Sequence, residues 1–387
     1  MWARLALGAV ISHCVAVMAS LSARSRRIAV RSGRAGLAVV LLAGAAAVFE
    51  MWLLAHAWRQ GNFGIDFEQT LLPAAKTVAA GNSPYPAYGY PPLVAFALVP
   101  LTVLPGPQVV FAVLLAACVP ASLWFLGVRD LRCYAVAFLW APVFSAIQTE
   151  NVTLALLLGI AVCWHARDRW RGAGIAAGLA IAAKILCWPI TVWLLASRRL
   201  KAGATSIVSA VVVTLGLWGA LGFSGLLHYP SSLRGLGELV APESYTLKAL
   251  LVDMGAGVTV GKAAGTVLAL AVVAGVVALA RRGDDRRSFG LAAVAMIVAS
   301  PIVWLHSFAL LLVPVAVLRP RLGAAWLVPI AMVVTSGTGN GHPWQTAVAL
   351  GACLLTVALA LVPADRFRLR WGQRTAGLLS TTTSRLL

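Results

Sequence analysis

Long apolar runs follow one another along nearly the whole chain, separated by short basic clusters or by breaks rich in proline and glycine. A run of about 20 apolar residues is long enough to cross the hydrocarbon core of a bilayer as a helix. Because lipid offers no hydrogen bonds to the backbone, a spanning segment of this kind must be helical. The pattern therefore predicts an all-α, polytopic membrane helix bundle.

Seven basic clusters interrupt this pattern. They lie at residues 24–34, 129–132, 167–171, 198–201, 281–287 and 319–321, and in the tail 366–385. Basic residues concentrate on cytoplasmic loops, and all seven clusters fit that face if two helices separate each neighbouring pair. We therefore expect about twelve transmembrane helices. They are predicted at 36–57, 107–128, 133–147, 152–166, 172–186, 188–197, 203–223, 257–280, 289–302, 304–318, 322–335 and 346–363.

The same topology divides the chain into three parts. Residues 1–35 form an N-terminal extension, which is either an extra helix or a start-site artefact. The transmembrane domain covers 36–363, and a basic cytoplasmic tail covers 364–387. Several predicted spans are shorter than a straight crossing needs, so we expect kinked, broken or re-entrant helices among them.

Two longer loops are predicted on the extracytoplasmic side, at 58–106 and 224–256. The segment 91–104 within the first is apolar but bounded by prolines, and we expect it to be a helix lying at the outer interface. These loops are where extracytoplasmic chemistry has room to occur.

Composition agrees with a membrane protein, since 60% of the 387 residues are hydrophobic and only 11% are charged. The net charge of +19 does not indicate a nucleic-acid partner, because the basic residues flank hydrophobic runs and form no single patch with interleaved aromatics. The six cysteines lack CxxC or Cys/His ligand spacing, so we expect no metal site from them.

Asp66 and Glu68 follow the first predicted helix at the head of the longest exterior loop. A carboxylate here can act as a general base toward an acceptor hydroxyl. The pair could also share a divalent cation, which is the one cofactor that the residues allow. The alternative is two solvated loop acids.

Two further candidates lie near breaks between short helices. Lys184 is costly at membrane depth unless it has a partner, and an anionic phosphate is a natural one. The alternative is a lysine that extends to the outer interface. His306 follows a proline-broken junction and can donate to a phosphate oxygen, or can be a structural histidine beside Trp304.

Polar and aromatic groups complete the candidate list. Gln148, Glu150 and Asn151 mark an outer turn and can bind sugar hydroxyls, although turn capping also explains Asn151. Tyr85 and Tyr90 lie among prolines and can form an aromatic wall for a sugar, although an interfacial aromatic belt would place them there too.

Taken in order, these features resemble the GT-C class of polytopic glycosyltransferases, and specifically glycosyltransferase family 87. The matching pieces are Asp66; Gly81-Asn82-Ser83-Pro84-Tyr85, Tyr90-Pro91-Pro92 and Leu104-Pro105; Gln148 to Asn151; Gly178, Lys184 and Arg198-Arg199; and Ser300-Pro301 with Trp304 and His306. The resemblance runs from about residue 36 to 363.

The resemblance implies an inverting transfer of a sugar from a polyprenyl-phosphate donor to a glycolipid or glycan acceptor of the cell envelope. The sugar would be mannose, or arabinofuranose as in other members of the family. Asp66 would be the base, and Lys184 and His306 would lie near the lipid phosphate. The implied location is the cell membrane, with the active site on the extracytoplasmic side.

Several positions depart from the family pattern. The usual Gly-Gln-x-Asn turn reads Gln148-Thr149-Glu150-Asn151, the proline that follows the lysine is delayed to Pro189, and a second histidine is replaced by Ser307. Two rival interpretations are a transporter without chemistry and an inactive structural subunit. A transporter would need polar residues through the midplane or paired repeats with broken helices, whereas here the candidates gather on the outer side.

Overall fold

The computed structural model describes residues 33–335 and 342–362, and within these ranges the chain is helical with no strand. The α-helices are α1 (Gly33–Arg59), α2 (Leu72–Ala79), α3 (Pro92–Leu98), α4 (Pro107–Phe125), α5 (Leu131–Phe138), α6 (Ala141–Gln148), α7 (Thr153–His165), α8 (Trp170–Ala183), α9 (Pro189–Ala196), α10 (Leu200–Ala220), α11 (Tyr229–Leu239), α12 (Leu247–Asp253), α13 (Val258–Arg281), α14 (Asp285–Val298), α15 (Leu312–Leu318), α16 (Ala324–Leu327) and α17 (Pro343–Leu361). The basic tail predicted at 364–387 and nearly all of the extension predicted at 1–35 lie outside the described residues.

Short helices of other types connect these elements. A π-helix covers Phe67–Leu71, and 3-10 helices cover Val99–Val103, Ile185–Cys187, Ala241–Glu243, Leu305–Leu311 and Val328–Thr335.

Each of the twelve predicted spans coincides with helix, but the helices differ in length. Five in the described ranges are long and apolar enough to cross a membrane: Val39–Arg59, Pro107–Phe125, Leu200–Ala220, Val258–Arg281 and Pro343–Leu361. The pair α5 and α6, bent by 60°, makes a sixth if it is a single broken span. Five of the other six predicted spans match shorter apolar helices, and the sixth, 289–302, overlaps α14, so the count of twelve crossings stays a prediction.

The predicted exterior loops are largely helical. Segment 91–104 forms α3 and the 3-10 helix Val99–Val103, as expected for a helix there. The first loop also contains the π-helix and α2, and the second contains α11 and α12, none of which was predicted. Their apolar side chains are the reason, because residues such as Phe67, Leu71 and Tyr229 are buried against the bundle.

Two helix breaks position polar groups. Helix α8 ends at Lys184, whose backbone is extended (φ −154°, ψ 117°), and the chain becomes helical again through Ile185–Cys187. Pro189 starts α9 because a proline, which lacks an amide hydrogen, is tolerated in the first turn. A second break, between Val298 and Leu305, contains Pro301.

Helix α8 packs closely on α10 at Gly178. A Cβ atom at Gly178 would lie 2.7 Å from the carbonyl oxygen of Ser206 and 3.0 Å from the backbone nitrogen of Ala210. Only glycine lets the two backbones approach this closely, as at other small-residue interfaces between membrane helices.

Basic clusters from distant parts of the chain meet at one end of the bundle. Arg199 makes a bidentate pair with Asp285 at 2.8 and 2.9 Å. Arg167 lies 3.7 Å from the same carboxylate, and Arg199 lies 3.7 Å from Asp168. Three clusters that were assigned to one face from sequence are therefore in contact with one another.

Candidate active site

Asp66 lies in a loop that hydrogen-bonds to the turn between α6 and α7. This turn is at the start of α7, whereas the arginine cluster lies beyond the end of α7. The chain leaves α1 through Gly61 and Gly64, both with positive φ (68° and 74°). The amide of Gly64 then donates to the carbonyl of Gln148 at 2.7 Å, and the amide of Asp66 donates to that of Thr149 at 3.0 Å. These bonds hold the Asp66 backbone against the turn.

Asn151 orients the Asp66 carboxylate. Its Nδ2 donates to Oδ2 of Asp66 at 2.6 Å and to the hydroxyl of Tyr90 at 3.1 Å. Its Oδ1 accepts from the amide and the hydroxyl of Thr153, at 3.1 and 2.7 Å. Asn151 therefore caps the start of α7, as the turn-capping alternative predicted, and also contacts the candidate base.

Lys184 lies over Tyr90, with Nζ 5.5 Å from the ring centroid. Its positive charge acts on the Asp66 carboxylate. Burial raises the pKa of Asp66 above its ordinary value, and the hydrogen bond from Asn151 and the charge of Lys184 lower it. The carboxylate is thus desolvated but has two partners that favour its ionised form.

His306 approaches the same region from the second helix break. It is 4% exposed, and its Nε2 has no hydrogen-bond partner within the described part of the chain. The imidazole lies within electrostatic range of Lys184. The loop before α12 braces this segment, since Val303 accepts from the Tyr245 amide at 2.7 Å and donates to the Ser244 hydroxyl at 2.9 Å.

Glu150 is placed differently from the other candidates. Its side chain is completely buried, its φ is 56°, and neither carboxyl oxygen has a hydrogen-bond partner in the described ranges. Burial, and secondarily the nearby charge of Glu68, raise the pKa of Glu150 to about 8. It is therefore a neutral acid at pH 7.

Glu68 itself is exposed, and its charge is felt by Glu150. The sequence suggested that Asp66 and Glu68 could share a cation. In the structure, Asp66 interacts with Asn151 and Lys184, whereas the charge of Glu68 acts on Glu150. No group of three or more histidine, cysteine, aspartate or glutamate residues in the described ranges could hold a metal ion.

Tyr85 and Tyr90 belong to one aromatic wall. Tyr85 donates through its hydroxyl to the carbonyl of Tyr90 at 2.8 Å, and Tyr88 lies between them with ring centroids 5.9 and 5.7 Å away. Trp218 stacks on Tyr85 at 5.2 Å, and Tyr229 meets it edge-on at 5.9 Å. The sequence analysis missed Trp218 and Tyr229, which have no local signal beyond that of any interfacial aromatic.

Gln148 joins the two loops. Its backbone carbonyl receives the Gly64 amide, and its side chain donates to the carbonyl of Asn62 at 3.4 Å. The candidates thus fall into two groups. Asp66, Tyr90 and Asn151 are joined by hydrogen bonds, Lys184 lies over Tyr90, and His306 lies within electrostatic range of Lys184; these five residues are called the polar cluster. Gln148, Glu150 and Glu68 support or border the loop.

Comparison with known proteins identifies the family. Residues 88–303, more than half of the chain, match Glycosyltransferase family 87. The chain belongs to glycosyltransferase family 87. This family membership makes the protein a glycosyltransferase, and the matched residues include Tyr90, the turn 148–151 and Lys184.

A curated relative extends the match. The chain is 25% identical over 327 residues to the polyprenol-phosphate-mannose-dependent alpha-(1-2)-phosphatidylinositol pentamannoside mannosyltransferase of Mycobacterium tuberculosis. The alignment covers 78% of this chain and 70% of the relative. No solved structure matches the chain.

Proposed function

We propose that this family 87 enzyme moves a mannosyl group from a polyprenyl-phosphate donor to a lipid-linked glycan on the extracytoplasmic side of the cell membrane. The observation that carries the proposal is the meeting of Asp66, Asn151 and Lys184, from three separate segments, in one polar cluster. The mannosyl donor is supported by the mycobacterial relative, whose name includes polyprenol-phosphate-mannose and a phosphatidylinositol mannoside.

Asp66 acts as the general base. As the acceptor hydroxyl attacks C1 of the sugar, its proton passes to the Asp66 carboxylate, the new O–C1 bond forms, and the bond from C1 to the phosphate oxygen breaks. Direct attack of this kind inverts the anomeric centre. Burial raises the pKa of Asp66 and so makes it a stronger base than an exposed aspartate, while Asn151 and Lys184 favour its ionised form.

Lys184 and His306 stabilise the leaving group. Polyprenyl phosphate gains negative charge as the C1–O bond breaks, and a preorganised cation with a nearby donor lowers the energy of that state. Lys184 supplies the charge, and the unpartnered Nε2 of His306 is available to donate to a phosphate oxygen. Tyr85 and Tyr90 provide the wall against which the sugar ring packs.

The location of the site supports the sidedness. The arginine pairs gather at one end of the bundle, and helices α7 and α8 carry Asn151 and Lys184 at their other ends. If basic clusters face the cytoplasm, the polar cluster opens to the outside.

Asp66→Asn tests the proposal. The substitution keeps the shape and a hydrogen-bonding oxygen but removes the base, so we expect transfer from polyprenyl-phospho-mannose to fall by about 10²- to 10⁴-fold in purified protein. Asp253→Asn, an exposed acid at the end of α12, is the matched control and should retain wild-type transfer. Retention of most activity by folded Asp66→Asn protein would exclude Asp66 as the base.

A further inference from the structure

A cavity of about 520 Å³ lies at the end of the bundle where the arginines meet. Its walls come from the segment that leads into α8 and from the segment that leads into α10. Four of its eight described lining residues are cations and one is an acid, namely Arg167, Arg198, Arg199 and Lys201, and Asp168. The lining is therefore strongly basic.

This cavity is remote from the polar cluster. Helix α8 runs from Trp170 at the cavity to Ala183, next to Lys184, and its 14 residues cover about 20 Å. None of the five residues of the polar cluster is among the described lining residues. The cavity is thus separate from the proposed donor site, and what it binds does not depend on the proposed function.

Acids of the chain neutralise only part of the positive charge. Arg199 pairs with Asp285, whose carboxylate Arg167 also approaches, and Asp168 lies 3.7 Å from Arg199. Arg198 and Lys201 form no ion pair with an acid of the described ranges. Four cations against these two acids leave a surplus of two positive charges. A concave surface with such a surplus is complementary to an anion.

Arg198 occupies a position that suits another residue type better. Its φ is 61°, in the left-handed region, directly after the end of α9, where glycine is most often found. Glycine would take this conformation with less strain. The geometry of the turn therefore does not account for a cation here.

The two helix starts at the cavity also favour an anion. The N-cap residues are Arg169 for α8 and Arg199 for α10; neither side chain caps its helix, and neither first turn contains an acid. The first amides of an α-helix have no partner within the helix and carry the positive end of its dipole. A Cβ atom at Gly174 would lie 2.6 Å from the carbonyl oxygen of Ala202, so the two starts lie side by side. An anion bound beside them would offset both positive ends.

The rim of the cavity indicates that the anion belongs to a lipid. Trp170 and Leu200 line the cavity and are 44% and 63% exposed. Helix α10 is long and apolar enough to cross a membrane, so Leu200 at its start lies near the membrane surface, where tryptophan is also favoured. A water-soluble anion would leave these two apolar side chains in water, whereas the chains of a phospholipid cover them.

We propose that this cavity binds the phosphate of an anionic phospholipid from the adjacent leaflet. Arg198 and Lys201 contact the phosphate oxygens, and the acyl chains lie against Trp170 and Leu200. The lipid is not consumed. It stabilises the paired starts of α8 and α10 by matching their surplus charge.

Equilibrium binding to purified protein in detergent tests this site. The probes are dioleoyl phosphatidylglycerol, dioleoyl phosphatidylcholine and glycerol 3-phosphate, a soluble source of the same phosphate chemistry. We expect phosphatidylglycerol to bind more tightly than either of the others, by about tenfold. The double variant Arg198→Gly, Lys201→Gln should lose about tenfold in phosphatidylglycerol affinity and keep its affinity for phosphatidylcholine. Because glycine suits the left-handed turn, its unfolding temperature without lipid should not fall.

A second double variant is the matched control. Arg281→Gln, Arg282→Gln removes the same charge from exposed positions at the end of α13 that do not line the cavity, and it should keep wild-type phosphatidylglycerol affinity. Equal losses in the two double variants would mean attraction by net charge alone and would overturn the inference. Equal affinity of wild type for phosphatidylglycerol and glycerol 3-phosphate would exclude a lipid site. A fall in stability with unchanged phosphatidylglycerol affinity would assign Arg198 and Lys201 a structural role instead.

Discussion

Asn151 links structure and chemistry at the scale of a single side chain. Its carbonyl oxygen caps α7 through Thr153, and its amide nitrogen holds Asp66 and the Tyr90 hydroxyl. Both the nitrogen and the oxygen of the Asn151 side-chain amide are hydrogen-bonded, so the orientation of the amide is fixed. The direction of the candidate base therefore depends on the start of a helix, which is a rigid reference.

Glu150 provides a residue-scale prediction. The unfolded chain releases the Glu150 proton near the ordinary pKa of 4.5, whereas the folded protein keeps it until about pH 8. Between these values the unfolded state binds fewer protons, so the free energy of unfolding falls as pH rises, and above pH 8 it levels off. Glu150→Gln removes this pH-dependent fall in the free energy of unfolding, because glutamine does not titrate. The gain in unfolding temperature of Glu150→Gln over wild type should therefore grow between about pH 5 and 8.

The neighbouring acid supplies the control for this measurement. Glu68→Gln removes the charge that helps to raise the Glu150 pKa. In that background, the gain in unfolding temperature from adding Glu150→Gln should stop growing at a lower pH. If the unfolding temperatures of wild type and Glu150→Gln differed by a constant amount from pH 5 to 9, this would contradict a buried neutral acid at position 150.

The sequence identified individual candidate residues but not the residues that they contact. Family resemblance pointed to Asp66, and the cost of a cation near membrane depth pointed to Lys184. Neither signal contains the bond from Asn151 to Asp66 or the approach of Lys184 to Tyr90, because these contacts join segments far apart in the chain. The burial of Glu150 was equally invisible, since a turn in the sequence usually indicates exposure.

At the scale of elements, helix breaks place the functional groups. Lys184 directly follows α8, and His306 is the second residue of the 3-10 helix Leu305–Leu311. The sequence predicted a junction near Lys184 from the short spans 172–186 and 188–197, a proline-broken junction before His306 from Pro301, and the helical segments from the apolar runs. It did not predict α2, α11 and α12 within the exterior loops, because short amphipathic helices depend on the surface that they cover.

The contact between α8 and α10 can be tested with two glycines. Gly178→Ala forces a methyl group against the backbone of α10, which cannot move aside as a side chain can, so we expect a loss of about 1–3 kcal/mol in stability. Gly216→Ala on α10 adds a methyl group that meets nothing within 4 Å and should stabilise the helix by up to about 1 kcal/mol.

Unfolding temperatures of the two glycine variants in detergent provide the measurement. The account expects Gly178→Ala below and Gly216→Ala at or above wild type. Equal shifts for the two substitutions would mean that α8 and α10 do not pack closely at Gly178.

For the whole molecule, the two ends of the bundle have different chemistry. Arginine–aspartate pairs occupy one end, and the polar cluster lies toward the other. The clustering of arginines was predicted from their spacing in the sequence. The number of membrane crossings was not settled in the same way, because helices of 10–17 residues can cross, bend or stay within the bundle.

The central claim is that Lys184 binds the donor phosphate beside the proposed base Asp66. The affinity of purified protein for polyprenyl phosphate tests this claim most directly, compared among wild type, Lys184→Met and Asp66→Asn. We predict at least tenfold weaker binding for Lys184→Met, which loses the cation, and equal or tighter binding for Asp66→Asn, which loses a repelling charge. Wild-type affinity in Lys184→Met would contradict the account.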